Sequence, residues 1–219
     1  MSSDIPILYA VGGIPGIGKS TFLRQMLEKG MIPADAYYSC YDRAMLSIQA
    51  YREQAADAES RRRAFKEFEM PAREIETRQL NAVLEAKQNI IYDRTCALED
   101  CFDVFAKAQA LGYKIILHGF FVRPSLAIER CVKREEENGE RHTPVAVAHE
   151  RHQGFAKNFP FFVQGNDKIE PLDEVYLWHV TRHGKKFLAA EFKKGGEEAI
   201  HKYHQVLWFL RQSEGLIER

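Results

Sequence analysis

The sequence predicts an α/β fold in which a parallel sheet of about five strands is flanked by helices. Short apolar stretches alternate along the chain with longer amphipathic stretches, and the short ones have the length of buried strands. The first of them runs into a glycine-rich loop that is followed by apolar residues at helical spacing. A chain of 219 residues, 45% hydrophobic and 28% charged, can bury a core of its own. We therefore expect one domain over residues 1–219.

The first strand and the loop after it are the most informative part of the chain. The apolar run 7–11 leads into the sequence GGIPGIGKST, in which Gly13, Gly18, Lys19 and Ser20 satisfy the P-loop pattern G-x-x-x-x-G-K-[ST]. In a P-loop, backbone N–H groups surround a phosphate, the lysine reaches the β- and γ-phosphates, and the serine hydroxyl ligates Mg²⁺. The pattern predicts a P-loop NTPase or kinase fold. The predicted nucleotide-binding residues are Gly13, Ile14, Pro15, Gly16, Ile17, Gly18, Lys19, Ser20 and Thr21.

The other helices and strands are predicted from the spacing of apolar residues and from glycine and proline residues that interrupt regular structure. After the loop, an apolar stripe at helical spacing predicts a helix that ends near Gly30. Further strands are predicted at residues 37–41, 89–93, 113–122 and 173–180. Further helices are predicted at 43–87 with an interruption at Pro71, at about 102–111, at 124–138, after 144 and at 197–211.

Two aspartates follow predicted strands, at the edge where parallel sheets bind their ligands. Asp42 comes after the second strand and is the first candidate for a base that accepts the proton of a hydroxyl group. The alternative is that Asp42 caps the next helix. Asp93 ends the third strand, where it either holds Mg²⁺ through water or is itself the base. The predicted metal ligands are therefore Ser20 and Asp93.

Three arginines form another candidate set. Arg130 and Arg134 are four residues apart, so they project from one face of a helix, and Arg141 follows an Asn-Gly break. Guanidinium groups match the oxygens of a phosphate and keep their charge. We expect an arginine-bearing helical lid over about residues 124–160. The alternative is a solvent-exposed face in which the arginines pair with the glutamates at 135–137.

Composition and charge limit the partners and the compartment. The chain has 31 acidic and 31 basic residues, which argues against broad nucleic-acid affinity. It lacks an apolar run of membrane-spanning length and a basic, apolar signal segment. The four cysteines form no C-x-x-C pair. We therefore expect reduced thiols, no membrane partner and a cytoplasmic location.

Together these motifs resemble the zeta-toxin family of P-loop kinases. The loop has the form G-x-P-G-x-G-K-S, and Asp42 falls where that family carries its catalytic aspartate. Residues 128–144 resemble the family segment R-x-x-x-R…G-x-R/H-x-x-P, whose arginines contact the phosphates of the nucleotide. The similarity covers about residues 7–160.

The resemblance implies a P-loop kinase that uses ATP and Mg²⁺ to phosphorylate a hydroxyl of a small molecule. UDP-N-acetylglucosamine is the acceptor in the toxin branch, so a nucleotide sugar is the expected acceptor class. The implied catalytic residues are Lys19, Asp42, Arg130, Arg134 and Arg141. An antitoxin is a partner that the resemblance allows, although the sequence supplies no signal for one.

Two other functions are compatible with a P-loop. One is a nucleotide-dependent switch or NTPase that acts on a protein partner; the sequence contains no clear N-K-x-D segment for reading guanine. The other is a polynucleotide 5′-kinase, which the basic run Arg61–Arg63 suggests and the zero net charge opposes.

Overall fold

The computed structural model describes residues 5–55, 58–138, 143–196 and 198–214. In these residues one sheet contains seven strands: β1 (Ile7–Gly12), β2 (Tyr37–Ser39), β3 (Ile90–Asp93), β4 (Lys114–Phe121), β5 (Glu174–Val180), β6 (Lys186–Lys193) and β7 (Ala199–Ile200). The same residues form eight α-helices: α1 (Lys19–Glu28), α2 (Tyr41–Ser47), α3 (Gln49–Gln54), α4 (Ala58–Glu85), α5 (Asp100–Ala110), α6 (Pro124–Asn138), α7 (Val145–Gln164) and α8 (Tyr203–Arg211). A 3₁₀ turn, Gln212–Glu214, follows α8.

The strands lie in the order β2-β3-β1-β4-β5-β6-β7. The first five in this order are parallel, which confirms the predicted α/β fold. β6 is antiparallel to β5, and β7 is antiparallel to β6. Val11 of β1 is level with Asp93 of β3 and with His118 of β4. The glycine-rich loop after β1 therefore emerges at the carboxyl edge between two neighbouring strands.

The two antiparallel strands were not predicted, and they correct the position of the last helix. Ala199–Ile200 pairs with β6, so α8 begins at Tyr203 and does not extend over the predicted range 197–211. The centre of β6 contains Ala189 and Ala190, which are both fully buried. Alanine has a low β propensity, so the local sequence gives only a weak strand signal.

The long helix α4 is continuous through Pro71, so the predicted interruption is wrong. Proline removes one backbone hydrogen bond from a helix. On either side of it, Ala64 and Ala72 of α4 are buried in a cluster with Met45 of α2 and Tyr51 of α3. This packing offsets the lost hydrogen bond, because most helical stability in proteins comes from tertiary contacts. The predicted helix at 43–87 is thus three helices, α2, α3 and α4.

Side chains along β1 alternate between two hydrophobic layers. Leu8 and Ala10 lie in the layer that α5 and α7 cover, whereas Tyr9 and Val11 lie in the layer that α1 covers. All four residues are buried, as expected for a central strand of a parallel sheet.

A contact at the ends of β1 and β4 places α7 beside the glycine-rich loop. Gly12 and Gly119 are level with each other in the sheet. A Cβ atom at Gly12 would lie 2.5 Å from the ring of Phe155, and one at Gly119 would lie 2.7 Å from it. Only glycine lets the α7 ring pack on the strand backbone at these two positions.

None of the helices in the described ranges combines the length and apolar character that a membrane span requires. All four cysteines are free, and Cys96, Cys101 and Cys131 are buried.

Candidate functional site

The glycine-rich loop has a backbone that only glycine adopts easily. Gly13, Gly16 and Gly18 have φ values of 122°, 79° and 96°. A Cβ at Gly13 would lie 2.5 Å from the carbonyl oxygen of Phe120, and one at Gly16 would lie 2.3 Å from that of Ala127. The loop is therefore packed tightly between the end of β4 and helix α6.

Lys19, the first residue of α1, spans the loop. Its Nζ atom donates to the carbonyl oxygens of Gly13 (2.9 Å) and Ile14 (3.4 Å). Among the described residues, the backbone N–H groups of Ile14, Gly16 and Gly18 donate to no protein acceptor. Together with the N-terminal end of α1, these groups fit the phosphate chain of a nucleotide.

The rest of the predicted loop set is divided between the core and the surface. Ile14 and Ile17 are 1% exposed and anchor the loop in the core. Ser20 and Thr21 are exposed in the first turn of α1, where the Ser20 hydroxyl is accessible to a cation. Among the described residues there is no group of three histidine, cysteine, aspartate or glutamate side chains that could hold a metal ion.

Arg130 of α6 lies beside the glycine-rich loop. Its Nη1 atom donates to the carbonyl oxygen of Gly16 at 3.4 Å. Its Nη2 atom donates to the carbonyl oxygens of Thr181 and Arg182, at 2.9 and 3.1 Å. Arg130 therefore connects α6, the glycine-rich loop and the turn between β5 and β6.

Of the other two arginines, Arg134 lies within the described residues and Arg141 does not. Arg134, one turn further along α6, is half-buried, and its Nη2 atom is 3.7 Å from Sγ of Cys131. Of the glutamates considered as partners of these arginines, Glu135 instead pairs with Arg62 of α4. This ion pair connects α6 to α4.

Asp42 is exposed in the first turn of α2, directly after β2. Cys40 is the N-cap residue of α2, so the alternative prediction that Asp42 caps this helix is wrong. An exposed carboxylate at the carboxyl edge of the sheet is accessible to an acceptor molecule from solvent.

Asp93 is half-buried, and its Oδ2 atom accepts a hydrogen bond of 2.7 Å from the hydroxyl of Tyr38. Burial and the nearby carboxylate raise the pKa of Tyr38, so its hydroxyl remains a neutral donor. The two candidate acids therefore differ in environment: one is exposed, and the other is held by a phenol.

Comparison with known proteins places these features in one family. Residues 1–182 match the family model described as zeta toxin. The chain belongs to the zeta toxin family. A search of curated proteins found no match.

Solved structures show the same fold in other proteins. This zeta toxin family member is similar to a chain of the crystal structure of AvrRxo1-ORF1:-ORF2 with ATP, with a TM-score of 0.72, 14% identity and coverage of 99% of this chain and 67% of that chain. It is also similar to a structure of the PezAT chromosomal toxin-antitoxin system of Streptococcus pneumoniae, with a TM-score of 0.65, 14% identity and coverage of 100% and 89%. A chain of the Pnkp1/Rnl/Hen1 RNA repair complex has a TM-score of 0.50, 19% identity and coverage of 74% and 47%. At these identities the similarities show the fold.

In this zeta toxin family member, Arg94 joins the segments that carry the two acids. Its Nη1 atom donates to the carbonyl oxygens of Ser39 and Asp93, both at 3.0 Å. Its guanidinium group lies 3.6 Å from the ring centre of Tyr41 and 3.5 Å from a carboxylate oxygen of Glu76. The sequence predicted no role for Arg94, because Glu76 is 18 positions earlier on α4 and no local pattern connects them.

Proposed function

We propose that this zeta toxin family member is an ATP- and Mg²⁺-dependent kinase that transfers the γ-phosphoryl group to a hydroxyl of a small metabolite. The observation that carries the proposal is the loop itself, in which Lys19 spans left-handed glycines beside unpaired N–H groups. A site of this kind is suited to the phosphate chain of a nucleoside triphosphate.

In the proposed site, the loop amides and the end of α1 bind the α- and β-phosphates. Lys19 moves from the Gly13 and Ile14 carbonyl oxygens to the β- and γ-phosphates. Ser20 and Asp93 would hold the metal ion, directly or through water. When bound, Mg²⁺ neutralises charge on the β- and γ-phosphate oxygens.

We assign the base to Asp42. The Oδ2 atom of the Asp93 carboxylate already accepts a hydrogen bond from the Tyr38 hydroxyl, so this oxygen is occupied. Asp42 is exposed at the same edge of the sheet and can receive the proton of an acceptor hydroxyl.

We assign the arginines to the phosphate side of the site. Arg130 is fixed beside the loop, and Arg134 lies one helical turn away on α6. In the proposed reaction, Arg134 and Arg141 stabilise the charge on the transferred group, while Arg130 keeps α6 against the loop. The segment 124–160 is proposed to act as the lid of one kinase domain that extends over residues 1–219.

The proposal extends to the phosphoryl acceptor, the cellular location and a protein partner. Family membership supports UDP-N-acetylglucosamine as the first acceptor to test. Use of ATP and four free cysteines support a cytoplasmic location. Similarity to a toxin-antitoxin structure supports a protein partner of the antitoxin type.

The proposed function can be tested by ³¹P NMR of the protein with Mg-ATP, with and without UDP-N-acetylglucosamine. A new phosphomonoester signal in the wild type, absent in Lys19→Ala, is the expected result. Release of inorganic phosphate without a phosphomonoester would instead favour the NTPase or switch. Bound but unchanged ATP, with this acceptor and with a pool of cell metabolites, would overturn the kinase proposal.

A further inference from the structure

A lysine from the antiparallel part of the sheet lies at the glycine-rich loop. Lys186 is the first residue of β6 and pairs with Val180, the last residue of β5. Its Cε and Nζ atoms both lie 3.8 Å from the position that a Cβ of Gly18 would take. Lys186 therefore reaches the N-cap of α1 from outside the five parallel strands.

The position of Lys186 is held by the turn before it. The backbone N–H of Thr181 donates to the carbonyl oxygen of Lys185 at 2.9 Å, which closes the turn. Arg130 binds the carbonyl oxygens of Thr181 and Arg182, so the turn is also tied to α6. The strand that begins at Lys186 is therefore held by its pairing with β5 and by the contact between its turn and α6.

No charged group within the described ranges balances the charge of Lys186. In the described part of the chain, Lys186 has neither a hydrogen-bond acceptor nor a carboxylate within ion-pair distance. Burial lowers its pKa, and the positive charge of Arg130 lowers it further. The N-terminus of α1 adds a partial positive charge at the same place. Three positive groups without an anion are unfavourable unless a ligand supplies the negative charge.

We propose, on the basis of the kinase function above, that Lys186 binds the nucleotide's phosphate chain at the α- and β-phosphates. Gly18 belongs to the backbone that surrounds these phosphates in a P-loop, whereas the adjacent Lys19 reaches toward the β- and γ-phosphates. Lys186 and Lys19 thus approach the phosphate chain from different elements. Lys186 therefore contributes to the binding of ADP and of ATP. Lys19 contacts the γ-phosphate, and this contact changes when the phosphoryl group is transferred.

The test compares Lys186→Gln with Lys186→Arg, and uses Lys185→Gln as the matched control. Lys185 is the neighbouring lysine and its side chain is exposed, so the control removes the same charge from the adjacent position. Dissociation constants of ADP, ATP and pyrophosphate are measured by isothermal titration calorimetry. Lys186→Gln is expected to weaken all three by about 10- to 100-fold, the value of a charge-assisted hydrogen bond. Lys186→Arg is expected to restore most of the affinity, and Lys185→Gln to stay within about twofold of the wild type.

Thermal unfolding without nucleotide separates a ligand contact from a structural one. Because none of the described anions pairs with Lys186, Lys186→Gln is expected to unfold at the wild-type temperature or above it. A lower unfolding temperature, unchanged affinities, or a loss for ATP with ADP unchanged would each overturn the assignment of Lys186. A wild-type protein that binds neither ADP nor ATP would overturn the proposed kinase function instead.

Discussion

The hydroxyl of Tyr38 donates a hydrogen bond of 2.7 Å to Oδ2 of Asp93, and this bond joins the neighbouring strands β2 and β3. The oxygen of Asp93 that accepts this bond is already occupied by a donor. Asp42, which is exposed in the first turn of α2, is not held by this phenol. The two acids that the sequence left as competitors for one role therefore have different surroundings.

The first prediction concerns these two roles. Asp42→Asn is expected to lower kcat by about 10²- to 10⁴-fold, because an amide cannot accept the proton of the acceptor hydroxyl. Its ADP affinity is expected to stay unchanged. Asp93→Asn is expected to raise the Mg²⁺ concentration that gives half the maximal rate. Initial rates across a Mg²⁺ series measure both effects.

Asp35→Asn is the control for this series, because Asp35 is an exposed acid in the loop before β2. It is expected to match the wild type. Full activity of Asp42→Asn, combined with a loss of kcat in Asp93→Asn at saturating Mg²⁺, would reverse the two roles.

The second prediction concerns the packing of the loop. Gly16 has a φ of 79°, and a Cβ there would lie 2.3 Å from the carbonyl oxygen of Ala127 and 2.8 Å from Sγ of Cys131. Gly16→Ala is expected to lower the free energy of unfolding by about 2–4 kcal/mol, from backbone strain and overpacking together. It is also expected to abolish ADP binding, since the loop must shift away from α6.

Gly30→Ala provides the control for strain alone. Gly30 follows α1 with a φ of 67°, and no atom lies within 4 Å of the position of its Cβ. We expect this change to cost about 1–2 kcal/mol and to leave ADP binding intact. Urea denaturation and calorimetry measure both quantities; equal losses in the two variants would mean that the contact with α6 has no effect.

The sequence could predict the five parallel strands because each is a short apolar run beside a breaking residue, as at residues 7–11 and 113–122. β6 could not be predicted in the same way. It exists because its residues pair with β5 across a short turn, and its central alanines give only a weak local strand signal. The continuity of α4 through Pro71 likewise depends on packing against α2 and α3, which is a tertiary effect.

The residues of the candidate site also differ in whether the local sequence could predict them. The loop from Gly13 to Ser20 could be predicted because its chemistry lies within eight consecutive residues. Arg94 and Lys186 could not be predicted, because their neighbours Glu76 and Gly18 are distant in sequence and only the fold brings them together. A lone basic residue at a strand end is usually a solvent-exposed charge.

The third prediction concerns the buried pair of Arg94 and Glu76. The side chains of this pair are 9% and 3% exposed. Arg94→Met is expected to lower the free energy of unfolding by about 3–5 kcal/mol, because it leaves the Glu76 charge buried without its partner. Adding Glu76→Gln is expected to recover part of this loss. Urea denaturation followed by circular dichroism measures the series.

Arg63→Met is the control, since the Arg63–Glu59 pair is exposed to solvent, at 72% and 80% for the two side chains. Its expected effect is below about 1 kcal/mol. If the double variant at Arg94 and Glu76 were no more stable than Arg94→Met, the unpaired charge would not be the cause of the loss.

The last prediction concerns the pH dependence of stability. Burial lowers the pKa of His118 to about 4, and burial also lowers the pKa of His152 to about 4, from the ordinary value of 6.5. Neutral His118 accepts a hydrogen bond of 3.2 Å from Nε1 of Trp178 at its Nδ1 atom, and a protonated ring would lose this bond. Between pH 6.5 and 4 the unfolded chain therefore binds more protons at these two residues than the folded protein does.

It follows that their contribution to stability is fully present above the unfolded pKa and falls as the pH is lowered toward 4. His118→Leu and His152→Leu are each expected to reduce the slope of unfolding free energy against pH in this window. His183→Gln, an exposed histidine in the β5–β6 turn, is expected to leave the slope unchanged. Urea midpoints at half-unit pH steps measure the slopes. Equal slopes in the wild type and in both leucine variants would show that these histidines are not the groups that take up the protons.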